Sequence, residues 1–171
     1  ISESILQTLQ EISKPMLEEE YNYDTAGNFM WCCTMALNGL IQKGVPTDWA
    51  VHAIGHELTA NFGIDHARTL AVIAPSRYRF AFEDKKEKLA QYGERVWGIT
   101  EGSIDERAEK AIQKMEEFFK SLDIDIKLSD YTKDYDGISD KIKNTFIERK
   151  MDGIGEHKNL TPENVKEIVE M

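Results

Sequence analysis

Apolar residues recur at three-to-four spacing along almost all of this 171-residue chain, and no sustained run of strict alternation competes with them. That period belongs to helices. Ile5, Leu6, Leu9 and Ile12 form one stripe, which Pro15 kinks or ends, because proline lacks the amide hydrogen and disfavours the α conformation in the residue before it. A long helix from about Asp24 to Ile41 follows. It is apolar on most faces, with Phe29, Met30, Trp31, Cys32, Cys33, Met35, Leu37 and Leu40, so it is the expected central core helix, stopped by Gly44 and Pro46. Thr47 is placed to cap a helix running from Asp48 to about Ala60, Gly63 supplies the break, and Asp65 caps a further helix ending near Pro75. Asp84 to Val96 and Ser103 to Leu122 read as amphipathic surface helices, with the aromatic stripe Phe118-Phe119 in the core. Only Ile124 to Tyr135 resembles strand or irregular structure, and two short helices, about Gly137 to Glu148 and Thr161 to Glu170, complete the chain. The expected fold class is all-α, a helical bundle in one domain over residues 1–171.

Charge narrows the partners. With 31 acidic against 21 basic residues the formal charge is −10, and no Lys/Arg-rich stripe is present, so a nucleic-acid partner is not expected. The longest uncharged stretches, such as Ala26 to Gln42, are too short or too interrupted to span a membrane. The two cysteines, Cys32 and Cys33, are adjacent within an apolar run and read as small hydrophobes in a reducing, cytoplasmic setting. No basic region followed by an apolar stretch marks a signal peptide, and the chain opens at Ile1, as a fragment of a longer protein would.

Three of the four histidines, His52, His56 and His66, fall inside the single segment WAVHAIGHELTANFGIDHARTLAVIAP. His52 and His56 are four residues apart, on one face of a helix and one turn from each other. His66 lies fourteen positions after His52, beyond an NFGI turn that folds the chain back through Asn61 and Gly63. Histidine is the commonest metal ligand and titrates near neutrality, so such a cluster points to metal or proton chemistry. The zinc-protease motif H-E-x-x-H needs a glutamate where Ala53 stands, and its inverted form needs one where Gly55 stands. The Asp65-His66 pair is the reverse of the His-Asp order of helical phosphohydrolases. Asp65 is explained as a helix cap, Glu57 as an exposed or hydrogen-bonded carboxylate, and His157, in a loop, as a surface residue; Trp31, Trp49 and Trp97 read as packing.

The string HAIGHELTANFGIDHARTLAVIAP, from His52 to Pro75, resembles the metal-binding signature of the iron-containing (group III) alcohol dehydrogenases, in particular their butanol dehydrogenase and aldehyde reductase branch. The stretches DTAGNFMWCCTMALNGL from Asp24, PTDWA from Pro46, YGERVWGI from Tyr92 and LSDY from Leu128 extend the likeness over nearly the whole chain. The resemblance implies the helical C-terminal domain of the dehydroquinate synthase-like fold, facing an N-terminal nucleotide-binding domain that this sequence does not include. It implies a divalent metal, Fe2+ or Zn2+ foremost and Ni2+ or Mn2+ as alternatives, held by His52 and His66 with an aspartate and a histidine from upstream. By the same resemblance His56 lies beside the nicotinamide and the substrate, as a catalytic and cofactor-binding residue. The implied activity is NAD(P)-dependent interconversion of primary alcohols and aldehydes, often by a homodimer, with the fragment inactive alone. The competing expectation is a stand-alone helical scaffold domain whose histidines are vestigial.

Overall fold

A computed structural model describes residues 1–18, 20 and 22–171. Among the described residues there are nine helices and no strand: α1 (Ser2–Leu17), α2 (Tyr23–Leu37), α3 (Ala50–Phe62), α4 (His66–Phe80), α5 (Phe82–Trp97), α6 (Ile104–Lys120), α7 (Leu128–Tyr131), α8 (Ile138–Glu148) and α9 (Pro162–Glu170). The all-α expectation is met. Among the described residues no helix is long and apolar enough to cross a membrane. Packing divides the chain into two compact units, Ile1–Val45 with Lys86–Ala111, and Pro46–Lys85 with Ile112–Met171, so one boundary falls between α2 and α3 and the other two inside α5 and α6.

In the first unit α1 packs on α2, and polar ties join α1 to α5. Arg95 pairs with Glu3 at 3.1 Å, Gln91 donates to the same carboxylate, and Gln7 donates to the Arg95 carbonyl at 2.7 Å. The α5 and α6 backbones approach closely at Gly93, where a Cβ would stand 3.1 Å from both the Ala111 Cβ and the Arg107 carbonyl oxygen. Ser103 and Glu106 cap α6 reciprocally: the Ser103 amide donates to the Glu106 carboxylate at 2.8 Å, and the Glu106 amide donates to the Ser103 hydroxyl.

Several expectations fail here. Helix α1 runs past Pro15 to Leu17, because near a C-terminus the loss of one amide donor interrupts little of the ladder. Helix α2 is capped by Asn22 and ends at Leu37 instead of near Ile41; it is not a central core helix. Only Cys32 is buried on it, while Met30, Trp31 and Leu37 are 65%, 64% and 72% exposed, and Cys33 is also exposed. An apolar surface all round a helix states a need for neighbours, whereas burial follows only where a neighbour is present.

The second unit holds the main core. Ile54 and Leu58 of α3, Ile73 of α4, Ile142 and Phe146 of α8, and Val165 and Ile168 of α9 pack into one cluster. Fully burying side chains of this size stabilises by about 1.5–3 kcal/mol each. Helix α9 starts as expected at Thr161-Pro162, with Thr161 and Asn164 forming a capping box. Helix α3 begins later than expected. Thr47 does not cap it; the Asp48 carboxylate accepts from the Ala50 amide at 2.9 Å and also pairs with buried Arg77 at 2.8 Å. Lys85 links Asp48, at 3.3 Å, to Glu156 at 2.9 Å. Helix α4 does not stop at Pro75 but continues to Phe80, since Ile73, Ala74, Pro75 and Arg77 are all buried and their packing outweighs one missing backbone bond. The irregular reading of residues 124–135 holds apart from the four-residue helix α7. Trp49, read as packing, is 46% exposed, and Phe118 and Phe119, read as core, are only half-buried.

Candidate metal centre

A helix, a tight turn and a second helix build the centre from local signals. The α3 helix closes at Gly63, whose φ of 69° is the left-handed conformation that glycine adopts without a steric penalty. Asn61 donates its side-chain amide to the Glu57 carbonyl at 2.7 Å, covering an acceptor of the last turn. Two residues after the glycine, the Asp65 carboxylate accepts from the Arg68 amide at 3.2 Å and starts α4. His66 is thereby the first residue of α4, turned back onto the face of α3 that carries His52 and His56.

One candidate ligand atom from each of these histidines lies within 4.8 Å of the others. His52 Nδ1 and His66 Nε2 are 3.1 Å apart, and their rings are tilted by 55°. His56 is exposed, and its ring stacks on that of His66 at a centroid distance of 3.9 Å and an angle of 8°. Burial pushes the half-buried His52 imidazole below its ordinary pKa, with the charge of nearby His56 acting in the same direction. His66 is lowered by burial and then by His56 and His52. Both therefore favour the neutral form, which has the free lone pair a metal requires.

The donor set fits a divalent ion. Two nitrogens each about 2.0–2.1 Å from one metal sit about 2.9–3.4 Å apart in octahedral or tetrahedral geometry, and the His52–His66 separation of 3.1 Å falls inside that range. Imidazole lone pairs lie in the plane of the ring. The nearly parallel, stacked rings of His56 and His66 consequently cannot both aim a lone pair at the same ion, whereas the tilted rings of His52 and His66 can.

The other polar candidates in the sequence have structural partners. Glu57 is buried and paired with Arg149, and Asp65 serves as the cap. His157 is exposed, 3.1 Å from Glu156. Three contributors were not read from the sequence. Trp49 places its ring 5.0 Å from that of His52. Gly55 is buried where a Cβ would stand 3.2 Å from Thr69 Oγ1 and 3.6 Å from His66 Cε1. Thr69 has its hydroxyl 3.4 Å from His66 Nδ1. The available signals were Thr69 one turn after His66, and a glycine in the helix directly before His56.

Comparison with known proteins bears on the same residues. NADPH-dependent aldehyde reductase YqhD of Escherichia coli is 46% identical over 169 residues, covering 99% of this chain and 43% of the relative. NADH-dependent butanol dehydrogenase A of Clostridium acetobutylicum is 32% identical over 174 residues, covering 100% of this chain and 43% of the relative. The chain thus spans less than half the length of these curated relatives. The solved substrate- and cofactor-free form of the Escherichia coli aldehyde reductase YqhD matches with a TM-score of 0.93 at 45% identity, over 98% of this chain and 44% of that one. NADH-dependent butanol dehydrogenase A from Thermotoga maritima, at 24% identity and a TM-score of 0.88 over 98% of this chain and 44% of that one, shares the fold. The model of the Fe-containing alcohol dehydrogenase family, C-terminal, matches residues 1–171, and the chain belongs to that family.

Proposed function

We propose that this chain supplies the metal-binding, substrate-facing part of a cytoplasmic NAD(P)-dependent oxidoreductase that interconverts primary alcohols and aldehydes of the butanol and butyraldehyde class. The observation that carries the reading is the His52–His66 pair, two imidazole nitrogens 3.1 Å apart on tilted rings. The relatives named above, reductases and dehydrogenases of aldehydes and alcohols, support the substrate class.

His52 and His66 are the residues that would hold the metal, Fe2+ or Zn2+ foremost by the family resemblance and Ni2+ or Mn2+ as alternatives, since imidazole does not select among these ions. A divalent ion supplies Lewis acidity toward a carbonyl oxygen, and a nicotinamide supplies the hydride, which no side chain of this chain can. The chain's own residues do the rest. Burial lowers the proton affinity of the His52 and His66 imidazoles and so favours their neutral form, and Gly63 with Asp65 fixes the angle at which α4 brings His66 to α3. His56 is exposed and held by stacking against His66, so its ring is free to pass a proton to or from a substrate oxygen. The dinucleotide pocket and further metal ligands come from outside this sequence.

The test follows oxidation of NADH and NADPH by the full-length gene product with butyraldehyde, before and after chelation, with ferrous iron or zinc restored. Turnover lost on chelation and recovered with metal is the expected result. Undiminished turnover after exhaustive chelation, or none with any metal, would remove the reading.

A further inference from the structure

Thr69 is fully buried. Its hydroxyl donates to the carbonyl oxygen of His66 at 3.0 Å, lies 3.2 Å from the hydroxyl of Thr59 on α3, and lies 3.4 Å from His66 Nδ1. A hydroxyl has one proton and two lone pairs. The shortest of the three contacts, 3.0 Å to a carbonyl oxygen that can only accept, takes the Thr69 proton. Thr69 Oγ1 must then accept from its other two neighbours. Thr59 offers O–H, and His66 has to offer Nδ1–H. A neutral imidazole carries a single N–H, so Nε2 keeps its lone pair, and Nε2 is the atom 3.1 Å from His52 Nδ1. Gly55 leaves room for this arrangement, because a Cβ there would stand 3.2 Å from both Thr69 Oγ1 and Leu70 Cδ2 and press on the buried hydroxyl.

We infer that Thr69 is a positioning residue whose buried hydroxyl selects the Nδ1–H tautomer of His66 and so presents the Nε2 lone pair toward His52. The tautomer follows from hydrogen bonds between α3 and α4 alone; its use in holding a metal rests on the function proposed above. A threonine that merely bonded back to its own helix carbonyl would leave the tautomer unselected.

The tautomer is read from nitrogen-15 spectra of the metal-free, histidine-labelled protein that carries this chain, at about pH 8, where imidazoles are neutral. Wild type and Thr69→Ser should show His66 protonated at Nδ1, and Thr69→Val should shift it toward the Nε2–H form that free imidazole side chains favour. Protonation at Nε2 in the wild type, or an unchanged Nδ1–H form in Thr69→Val, overturns the inference. Should Thr69→Val fail to fold, the wild-type and Thr69→Ser spectra decide alone. A second readout is the affinity for Zn2+, measured against a chromophoric chelator. Thr69→Val should bind about 10–100-fold more weakly and Thr69→Ser should recover most of the loss; equal affinity in Thr69→Val and wild type counts against the positioning role. A wild type with His66 protonated at Nδ1 that retains no metal upholds the tautomer and refutes the proposed function.

Discussion

Helices α2 and α3 have similar apolar sequences and opposite surroundings. On α3, Ala50, Ile54, Gly55, Glu57 and Leu58 are buried, among them a carboxylate that Arg149 accompanies. On α2 only Cys32 is buried, and its largest side chains face solvent. The difference lies in what each helix meets within its own unit. Helix α3 packs on α4 and belongs to a core shared with α8 and α9, whereas α2 packs on α1, a helix with no buried residue of its own. Hydrophobic composition measures the demand for burial; topology determines whether it is met. The candidate centre sits on the well-supported helix, which suits chemistry that depends on fixed side-chain geometry.

Substitutions that remove a neighbour from each helix sharpen this contrast. The largest effect is expected at Asp48, which anchors the start of α3. Asp48→Asn leaves the Arg77 guanidinium buried without its counter-charge and should destabilise by about 3–5 kcal/mol in urea unfolding. Burial raises the Asp48 carboxyl, but the Ala50 amide and the charges of Arg77 and Lys85 more than offset it, so its pKa is lowered. A depressed folded value means that its stabilisation is complete above the unfolded carboxylate value of about 3.9 and is lost as pH falls through the folded value. The acid limb of the stability curve should therefore be shallower in Asp48→Asn than in the wild type. An identical limb would show that this pair does not couple to folding.

Next in size, Ile54→Ala on α3 should cost about 2–5 kcal/mol by cavity formation, read from the denaturation midpoint. At Gly93, valine should cost about 1–3 kcal/mol by overpacking against Ala111 and the Arg107 carbonyl. The smallest effect is expected on α2: Met30→Ala should change the stability of this chain by no more than about 0.5 kcal/mol. A Met30→Ala cost as large as that of Ile54→Ala would break the comparison outright.

The stretch around the centre was legible in the sequence because its determinants are short-range. The four-residue spacing of His52 and His56, the left-handed glycine at position 63 and the cap at Asp65 act within a turn or two of chain, so the residues themselves specify the reversal that brings His66 back. Legibility ended where a distant partner decides the outcome. Pro75 reads as a stop, but the packing around it holds the helix together. Thr47 reads as the cap, yet the N-cap position falls at Trp49 without a side-chain cap bond, and the Asp48 carboxylate accepts from the Ala50 amide while Arg77 and Lys85, far along the chain, pair with it. Thr69 carries no chemical signature as an isolated residue, and its relation to His66 emerges only from the bond of its hydroxyl to the His66 carbonyl and its place beside Thr59 on the neighbouring helix.

The most direct test of the central claim is the metal content of the full-length protein and its His52→Ala, His56→Ala and His66→Ala variants, each loaded with Zn2+ and dialysed. The geometry predicts about one equivalent in wild type and in His56→Ala, with turnover in the latter slowed by about 10²–10⁴-fold, and loss of metal together with activity in the other two. Metal lost from His56→Ala as completely as from His52→Ala and His66→Ala, or retained by all three variants, would contradict the division of roles among these histidines.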